Sequence, residues 1–422
     1  MTKAHVDLLI TRANELITLR SDSHEPAKLD RMKDLGIIRD GAIAIAENRI
    51  VAAGPRNRIE HQFKPEMEVD ASGKVVMPGF VDPHTHLVFA GSREKEFDRR
   101  LQGESYRDIL AKGGGILDTV RWTRKASREQ LVRQGKRTLD VMLKHGTTTV
   151  EAKTGYGLTT KDEVKCLEAA QELDKAHSVE VVSTFLGAHA VPPEHAHQPD
   201  NYVRLVAEVM IPEVADRGLA EFCDVFCEEG VFNVEQSRKI LQAGRVHGLK
   251  PKIHADELTQ QGGTELAAEI NAVSAEHLLF ASDNGLTAMA KKGVIAVLLP
   301  AAAFALMTGR YADARKAIQS KVPVALGTDF NPSCWAESMQ MTIAIACREM
   351  RLTVGEAITA ATINAAHAVD RAHEVGSLEP GKRANIIILD APNYRFLGYR
   401  FGVNLVDKVI KDGKIVVDNR GV

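Results

Sequence analysis

A chain of 422 residues, 44% of them hydrophobic, has ample material for a buried core, and its length suggests two or three domains unless a barrel absorbs most of it. With 54 Lys and Arg against 56 Asp and Glu the formal net charge is −2, which argues against nucleic acid or a membrane surface as a partner. The five Cys form no Cys-x-x-Cys pair, no apolar run reaches the roughly 18 residues of a membrane span, and the N-terminus shows no apolar stretch ahead of a cleavage site. The expectation is a soluble, reduced, cytoplasmic protein.

In chain order, Val6–Ile10 and Glu15–Leu19 read as two short strands ahead of a polar loop. Gly41–Ala46 and Arg49–Ala53 flank Glu47-Asn48, a hairpin signal. At the far end Asn385–Leu389 reads as a strand and Lys408–Val417 as a hairpin on Asp412-Gly413. Neither end has enough alternating apolar surface for a sheet of its own, so residues 1–76 and 376–422 are expected to pair into one small β-sandwich domain.

Between them, residues 77–375 alternate strand and helix. Strands are expected near 79–87, 147–152, 179–189, 221–228, 251–256, 272–278, 294–300 and 323–329. Ser127-x-x-Gln130, Thr160-x-x-Glu163 and Asn233-x-x-Gln236 are capping-box patterns or close to it, each ahead of residues with helical period. Eight strands, each followed by a helix, point to an α/β fold, a (β/α)8 TIM-type barrel, whose chemistry sits on the loops after the strand C-termini.

Those strand ends carry His84 and His86, Glu151 and Lys153, His189, Glu228 and Glu229, His254, His277, Pro300 and Asp329. In an extended segment i and i+2 side chains share a face, so His84 and His86 can offer two imidazoles to one ion. A catalytic metal takes three or four His and carboxylate ligands and keeps a position for water; His84, His86, His254 and Asp329 supply that number. The fourth-strand run Asp224–Glu229 has no Lys to bridge a second ion, which favours a single metal. Glu257 is placed to take a proton from water and pass it to a leaving nitrogen; the alternative is that Asp256 is this acid and Glu257 caps the next helix. His277 is the second polar group at the reacting centre. His195-Ala196-His197 repeats the His-x-His spacing in a Pro-rich loop and reads as surface, while His145 and His247 each precede a Gly at a helix end. Gly113-Gly114-Gly115 reads as a loop over the barrel mouth.

Phe80-Val81-Asp82-Pro83-His84-Thr85-His86 resembles the first-strand motif of the amidohydrolase superfamily. Gly376-Ser377-Leu378-Glu379-Pro380-Gly381-Lys382-Arg383-Ala384-Asn385 is similar to the segment that returns its members from barrel to β-sandwich, so the resemblance spans essentially the whole chain. The superfamily hosts many reactions. Four further stretches, Phe89–Arg93, Glu151–Leu158, Phe185–Pro193 and Thr328–Pro332, resemble one branch, which implies opening of a cyclic amide, an imidazolone with a propanoate tail, by a metal-activated water. The resemblance implies that His84, His86, His254 and Asp329 bind one zinc or iron ion per subunit. It also implies that Arg93, Tyr156, His189, Glu257 and Asn331 contact this small carboxylate-bearing substrate, with Glu257, His277 and Asp329 as the catalytic set. One departure is Ser333, where the branch has Gly, and it leaves open whether Ser333 and Cys334 meet substrate by side chain or backbone. The carboxylate tail of such a substrate needs a cation, and Arg93, seven residues past His86, can make a bidentate pair with it; from the residues alone, Arg93 reads rather as a solvated charge in the run Arg93-Glu94-Lys95-Glu96. The rival readings are a cytosine-deaminase-like metal-dependent deaminase of a nitrogen heterocycle, which has no need of a carboxylate clamp, and a non-enzymatic scaffold on the same fold. A homodimer is the expected assembly.

Overall fold

A computed structural model describes residues 3–21, 23–104 and 114–419. Strand β1 runs Ala4–Ile17 and is followed by β2 (Ile37–Ala46), β3 (Arg49–Pro55), β4 (Phe63–Asp70) and β5 (Val75–Pro78). Val6–Ile10 and Glu15–Leu19, expected as two strands, are therefore one. The polar interruption between them is a bulge, where Arg12 takes φ 57° and the register to β2 shifts between Ile10 and Ala13. The hairpin turns fall where expected: Glu47 and Asn48 take φ 50° and 68°, Asp412 and Gly413 take φ 50° and 76°, the left-handed pair that matches strand twist.

The barrel strands follow in sequence as β6 (Phe80–Asp82), β7 (Thr147–Lys153), β8 (Glu180–Ala188), β9 (Phe222–Cys227), β10 (Lys250–Ala255), β11 (Ser274–His277), β12 (Ile295–Leu298) and β13 (Val324–Leu326). Each pairs in parallel with its sequence neighbour, and the intervening helices cover the outside, as a parallel sheet buried on both faces requires. The chain ends with β14 (Ile386–Leu389), β15 (Val406–Lys411) and β16 (Lys414–Asp418). These return to the N-terminal strands in one mixed sheet ordered β16-β15-β14-β5-β1-β2-β3, with β4 on β1. That sheet folds over its own core: Ile45 on β2, Val69 on β4, Ile388 on β14 and Ile410 on β15 share one buried cluster, so its two halves face each other as a sandwich.

Gly79 alone separates β5 in the terminal sheet from β6 in the barrel. A Cβ there would sit 2.4 Å from Thr148 Cγ2, so this crossing needs glycine for close approach rather than for an unusual φ. The barrel closes just beyond the ends of β6 and β13. Asp329 N–H donates to the His84 carbonyl at 3.0 Å and His86 N–H to the Phe330 carbonyl at 2.8 Å. Three of the residues read as metal ligands, His84, His86 and Asp329, thus form the closing seam, and their backbones are fixed by the same bonds that complete the barrel.

The helix starts confirm Ser127–Gln130 and Asn233–Gln236 as reciprocal capping boxes. The third is displaced by one residue. Thr159, not Thr160, caps its helix, and the Glu163 carboxylate turns back to accept from the backbone of Gly155, Gly157 and Leu158. His145 and His247 occupy helix C-caps, and His197 is exposed in the loop where its motif was read as surface. Of the glycine cluster, Gly113 lies outside the described residues. Gly115 takes φ 70° and leads into helix Ile116–Lys125, its N–H held by Glu96 Oε1 at 2.6 Å. Among the described residues no helix is long and apolar enough to cross a membrane.

Candidate active site

At the C-terminal mouth of the barrel lies a cavity of about 140 Å³. His86, His254, His277 and Asp329 form its floor, and Arg93, Tyr156, His189, Glu257, Asn331 and Ser333 line its walls. His84 sits beneath, fully buried. Six strand ends therefore deliver side chains to one space, as a rule of strand-end chemistry demands.

Two groups of three donors, His84/His254/His277 and His84/His86/Asp329, each bring their ligand atoms within 4.8 Å of one another. Asp329 Oδ1 lies 3.4 Å from His84 Nε2 and 3.6 Å from His86 Nε2. His84 Nε2, His254 Nε2 and Asp329 Oδ1 are buried without a hydrogen-bond partner, a costly arrangement for polar atoms unless an ion meets them. Burial holds His84, His86 and His277 well below the ordinary imidazole value, so they present neutral rings, the state that coordinates. For His254 burial acts in the same sense, but the Asp224 carboxylate overrides it and raises the value. The donor set is mixed imidazole and carboxylate, suited to zinc or a first-row transition ion. By chemistry, burial and unmet bonding capacity, these residues fit a metal.

The far nitrogens of two of these imidazoles each face a carboxylate. His84 Nδ1 donates to Glu276 Oε2, and His254 Nδ1 lies 3.0 Å from Asp224 Oδ2. Neither carboxylate was recognised from the sequence, although both lie in strands beside residues that were. Asp82 is a third such carboxylate: it accepts from Thr328 N–H at 3.0 Å and Thr328 Oγ1 at 2.6 Å, tying the first strand to the last beside Asp329.

Backbone direction sends Asp256 and Glu257 to different places. Asp256 takes φ 49°, and its carboxylate accepts from the N–H groups of Gln261, Gly262, Gly263 and Thr264. It is committed to the loop ahead of helix Gly263–Glu269. Glu257 instead faces the cavity, with Oε2 3.6 Å from His277 Nε2. Burial and the nearby Asp329 charge push its carboxyl up to about 8, where it can exchange a proton near neutral pH. Its backbone N–H, with that of Leu258, is held by Glu228 Oε2.

On the opposite wall Arg93 is buried, with Nε donating to Thr119 Oγ1 at 2.9 Å and Nη1 to Ser333 Oγ at 2.8 Å. Ser333 thus meets Arg93 through its side chain. Asn331 closes its own turn: Oδ1 accepts from the N–H groups of Ser333 and Cys334, and Nδ2 donates to the Asp329 carbonyl. Cys334 is buried with its Sγ towards the Thr328 carbonyl. His189 Nδ1 donates to the Gly155 carbonyl at 3.1 Å, which leaves Nε2 as an acceptor, and its ring stacks on His86 at 4.8 Å. Tyr156 packs 5.2 Å from His189.

A model of the amidohydrolase family matches residues 75–416. The imidazolonepropionase of Geobacillus thermodenitrificans (strain NG80-2) is 55% identical, over 97% of this chain and 98% of its own. That of Alkaliphilus metalliredigens (strain QYMF) is 51% identical over 98% of each. Among solved structures, an adenosine deaminase from Xanthomonas campestris with bound zinc shares the fold, with a TM-score of 0.74, 19% identity and coverage of 99% of this chain and 94% of that one.

Proposed function

The chain belongs to the amidohydrolase family, and we propose that it acts as the imidazolonepropionases it matches, opening the cyclic amide of 4-imidazolone-5-propanoate to N-formimidoyl-L-glutamate in histidine degradation. The observation that carries the choice of substrate is the buried Arg93. Its Nε and Nη1 are occupied by Thr119 and Ser333, while its Nη2 has no hydrogen-bond partner among the described residues, at the wall of a cavity floored by metal donors. A guanidinium fixed in this way suits a ligand carboxylate, which a neutral nucleobase lacks.

His84, His86, His254 and Asp329 would hold one zinc or iron ion, with the enzyme a cytoplasmic homodimer. The ion supplies Lewis acidity, which brings the pKa of water from about 15.7 towards neutrality. Arg93 binds the propanoate and sets the ring in the cavity. His189 Nε2 accepts from a ring N–H. Glu257 Oε2 takes the proton from the attacking water, whose oxygen bonds to the lactam carbon. His277, neutral because it is buried, donates a hydrogen bond to the oxygen on which charge develops. Glu257 then returns the proton to the ring nitrogen as the C–N bond breaks, and the new carboxylate becomes the α-carboxylate of the product.

The test is to offer imidazolone propanoate and cytosine separately and follow ring opening and ammonia release, with metal measured per chain. Ring opening of the first, stopped by a chelator and restored by zinc or iron, is the expected result. Ammonia from cytosine with the imidazolone untouched would overturn the proposal.

A further inference from the structure

Below the metal donors the barrel lumen holds five ionisable side chains with no solvent exposure: Glu151, Lys153, Asp224, Lys252 and Glu276. None touches the cavity, and the reaction uses none of them. Groups of this kind are expensive to bury unless every charge is paired, and Lys153 is central to the pairing. Its Nζ donates to Glu151 Oε1 at 3.1 Å and to Asp224 Oδ2 at 2.8 Å, and it pairs electrostatically with Glu276 Oε2 at 3.5 Å.

The oxygens involved matter more than their number. Asp224 Oδ2, which faces Lys153, is the atom 3.0 Å from His254 Nδ1, and Glu276 Oε2 is the atom that accepts from His84 Nδ1. One ammonium therefore ties together the two carboxylate oxygens that orient two imidazoles. The fold explains how. Lys153, Asp224 and Glu276 come from the second, fourth and sixth barrel strands, and inward side chains of alternate strands meet in one layer of a (β/α)8 lumen. The Lys153 backbone N–H is also fixed, donating at 2.8 Å to the carbonyl of Thr85, the residue between His84 and His86.

We infer that Lys153, gripping Asp224 and Glu276, is a positioning residue for the metal site, which sets the rotation of His84 and His254 so that their Nε2 atoms converge. This rests on the metal site proposed above. A merely structural role would be shared with Lys252, which is equally buried but pairs with Glu151 at 2.9 Å and lies over the Phe222 ring, with neither orienting carboxylate within ion-pair distance among the described residues.

The experiment compares the full-length wild type, Lys153→Met, Lys252→Met and Glu276→Gln. Each is loaded with zinc or with Co2+, and the rate of metal loss to excess chelator and the Co2+ visible spectrum are recorded beside thermal unfolding. Loss of a partner behind a metal-bound imidazole typically weakens the site 10- to 100-fold. Lys153→Met and Glu276→Gln are each expected to release metal faster by about that factor, with an altered Co2+ spectrum, while Lys252→Met keeps the wild-type rate and spectrum whatever its melting point. Wild-type release rates and spectra in Lys153→Met and Glu276→Gln overturn the inference, as does equal acceleration in Lys252→Met. Should Lys153→Met not fold, Lys153→Gln, which removes the charge but keeps a polar side chain in the lumen, is read in the same way and decides. A wild type that takes up no metal at all overturns the site proposed above rather than this step alone.

Discussion

At the scale of single residues the proposed reaction separates holding the substrate from transforming it. Arg93 is on the holding side, and Arg93→Ala should lower kcat/KM about 100-fold, the value of a charge-assisted contact of roughly 3 kcal/mol, with metal content unchanged. Steady-state kinetics beside metal analysis checks this, and a parallel loss of metal would contradict it. Ser333 acts one step further out, through its 2.8 Å bond to Arg93 Nη1. Ser333→Ala should raise KM roughly 2- to 10-fold with kcat preserved, because a single neutral partner of the clamp is worth about 0.5–1.5 kcal/mol. Glu257 is on the transforming side. Glu257→Gln should bind substrate normally and lose about 10²- to 10⁴-fold in kcat, the usual value of a positioned proton carrier. Much of this was readable without coordinates, because a strand end is a place where side-chain type can be interpreted: His84 and His86 follow a barrel strand, whereas His195 and His197, with the same spacing, lie in a Pro-rich loop. What was not readable is which of two adjacent acids enters the cavity. The sequence favours Glu257 over Asp256 without showing where either points, and the left-handed φ of Asp256, 49°, turns one into the loop and the other into the cavity.

Between single residues and the whole molecule, the loops after the strands are held open by carboxylates that accept backbone N–H groups. Glu163 does this behind Tyr156, Glu228 behind Glu257, and Asp256 ahead of the next helix. Each does the work of a cap, satisfying donors that a buried loop has no water to satisfy. Asp256→Ala removes the acceptor for four backbone N–H groups at once and should cost about 2 kcal/mol in denaturant unfolding, with Asp256→Asn milder, since Asn also tolerates a left-handed backbone and can accept. The helix-start patterns at Ser127 and Asn233 were legible because a capping box is local, four residues that satisfy one another. Glu163 looked like another, yet its carboxylate goes back to a loop that precedes its helix. The Asp224–Lys153–Glu276 tie was hidden for a stronger reason. Its members are far apart in sequence, Lys153 and Asp224 alone by 71 positions, and nothing in a local pattern pairs one strand's lysine with the acids of two strands that are not its neighbours.

For the molecule as a whole, the terminal sheet is fastened to the base of the barrel, the end opposite the metal donors. β5 passes into β6 through Gly79 only, five residues before His84. The two units are joined at the base of the barrel by Arg383. It donates to Glu180 Oε2 at 2.6 Å, at the start of β8, and through Nε and Nη2 to both oxygens of Asp412 in the β15–β16 turn. Arg371 donates to the other Glu180 oxygen at 2.7 Å. Burial alone would raise the Glu180 and Asp412 carboxyls, but these guanidinium contacts more than reverse it and hold both below the ordinary carboxylate range. A carboxyl depressed by folding stabilises the protein above its unfolded pKa and loses that contribution as pH falls through the folded value. Arg383→Met should therefore cost about 1–2 kcal/mol at pH 7, a screened figure for a junction still open to water, and the gap to wild type should narrow as the pH falls below roughly 4. Urea unfolding of both proteins from pH 7 down to pH 3 measures this. A gap that stays constant across that range would mean that Arg383 contributes packing rather than charge, and that the junction holds by the apolar contacts of the sheet alone.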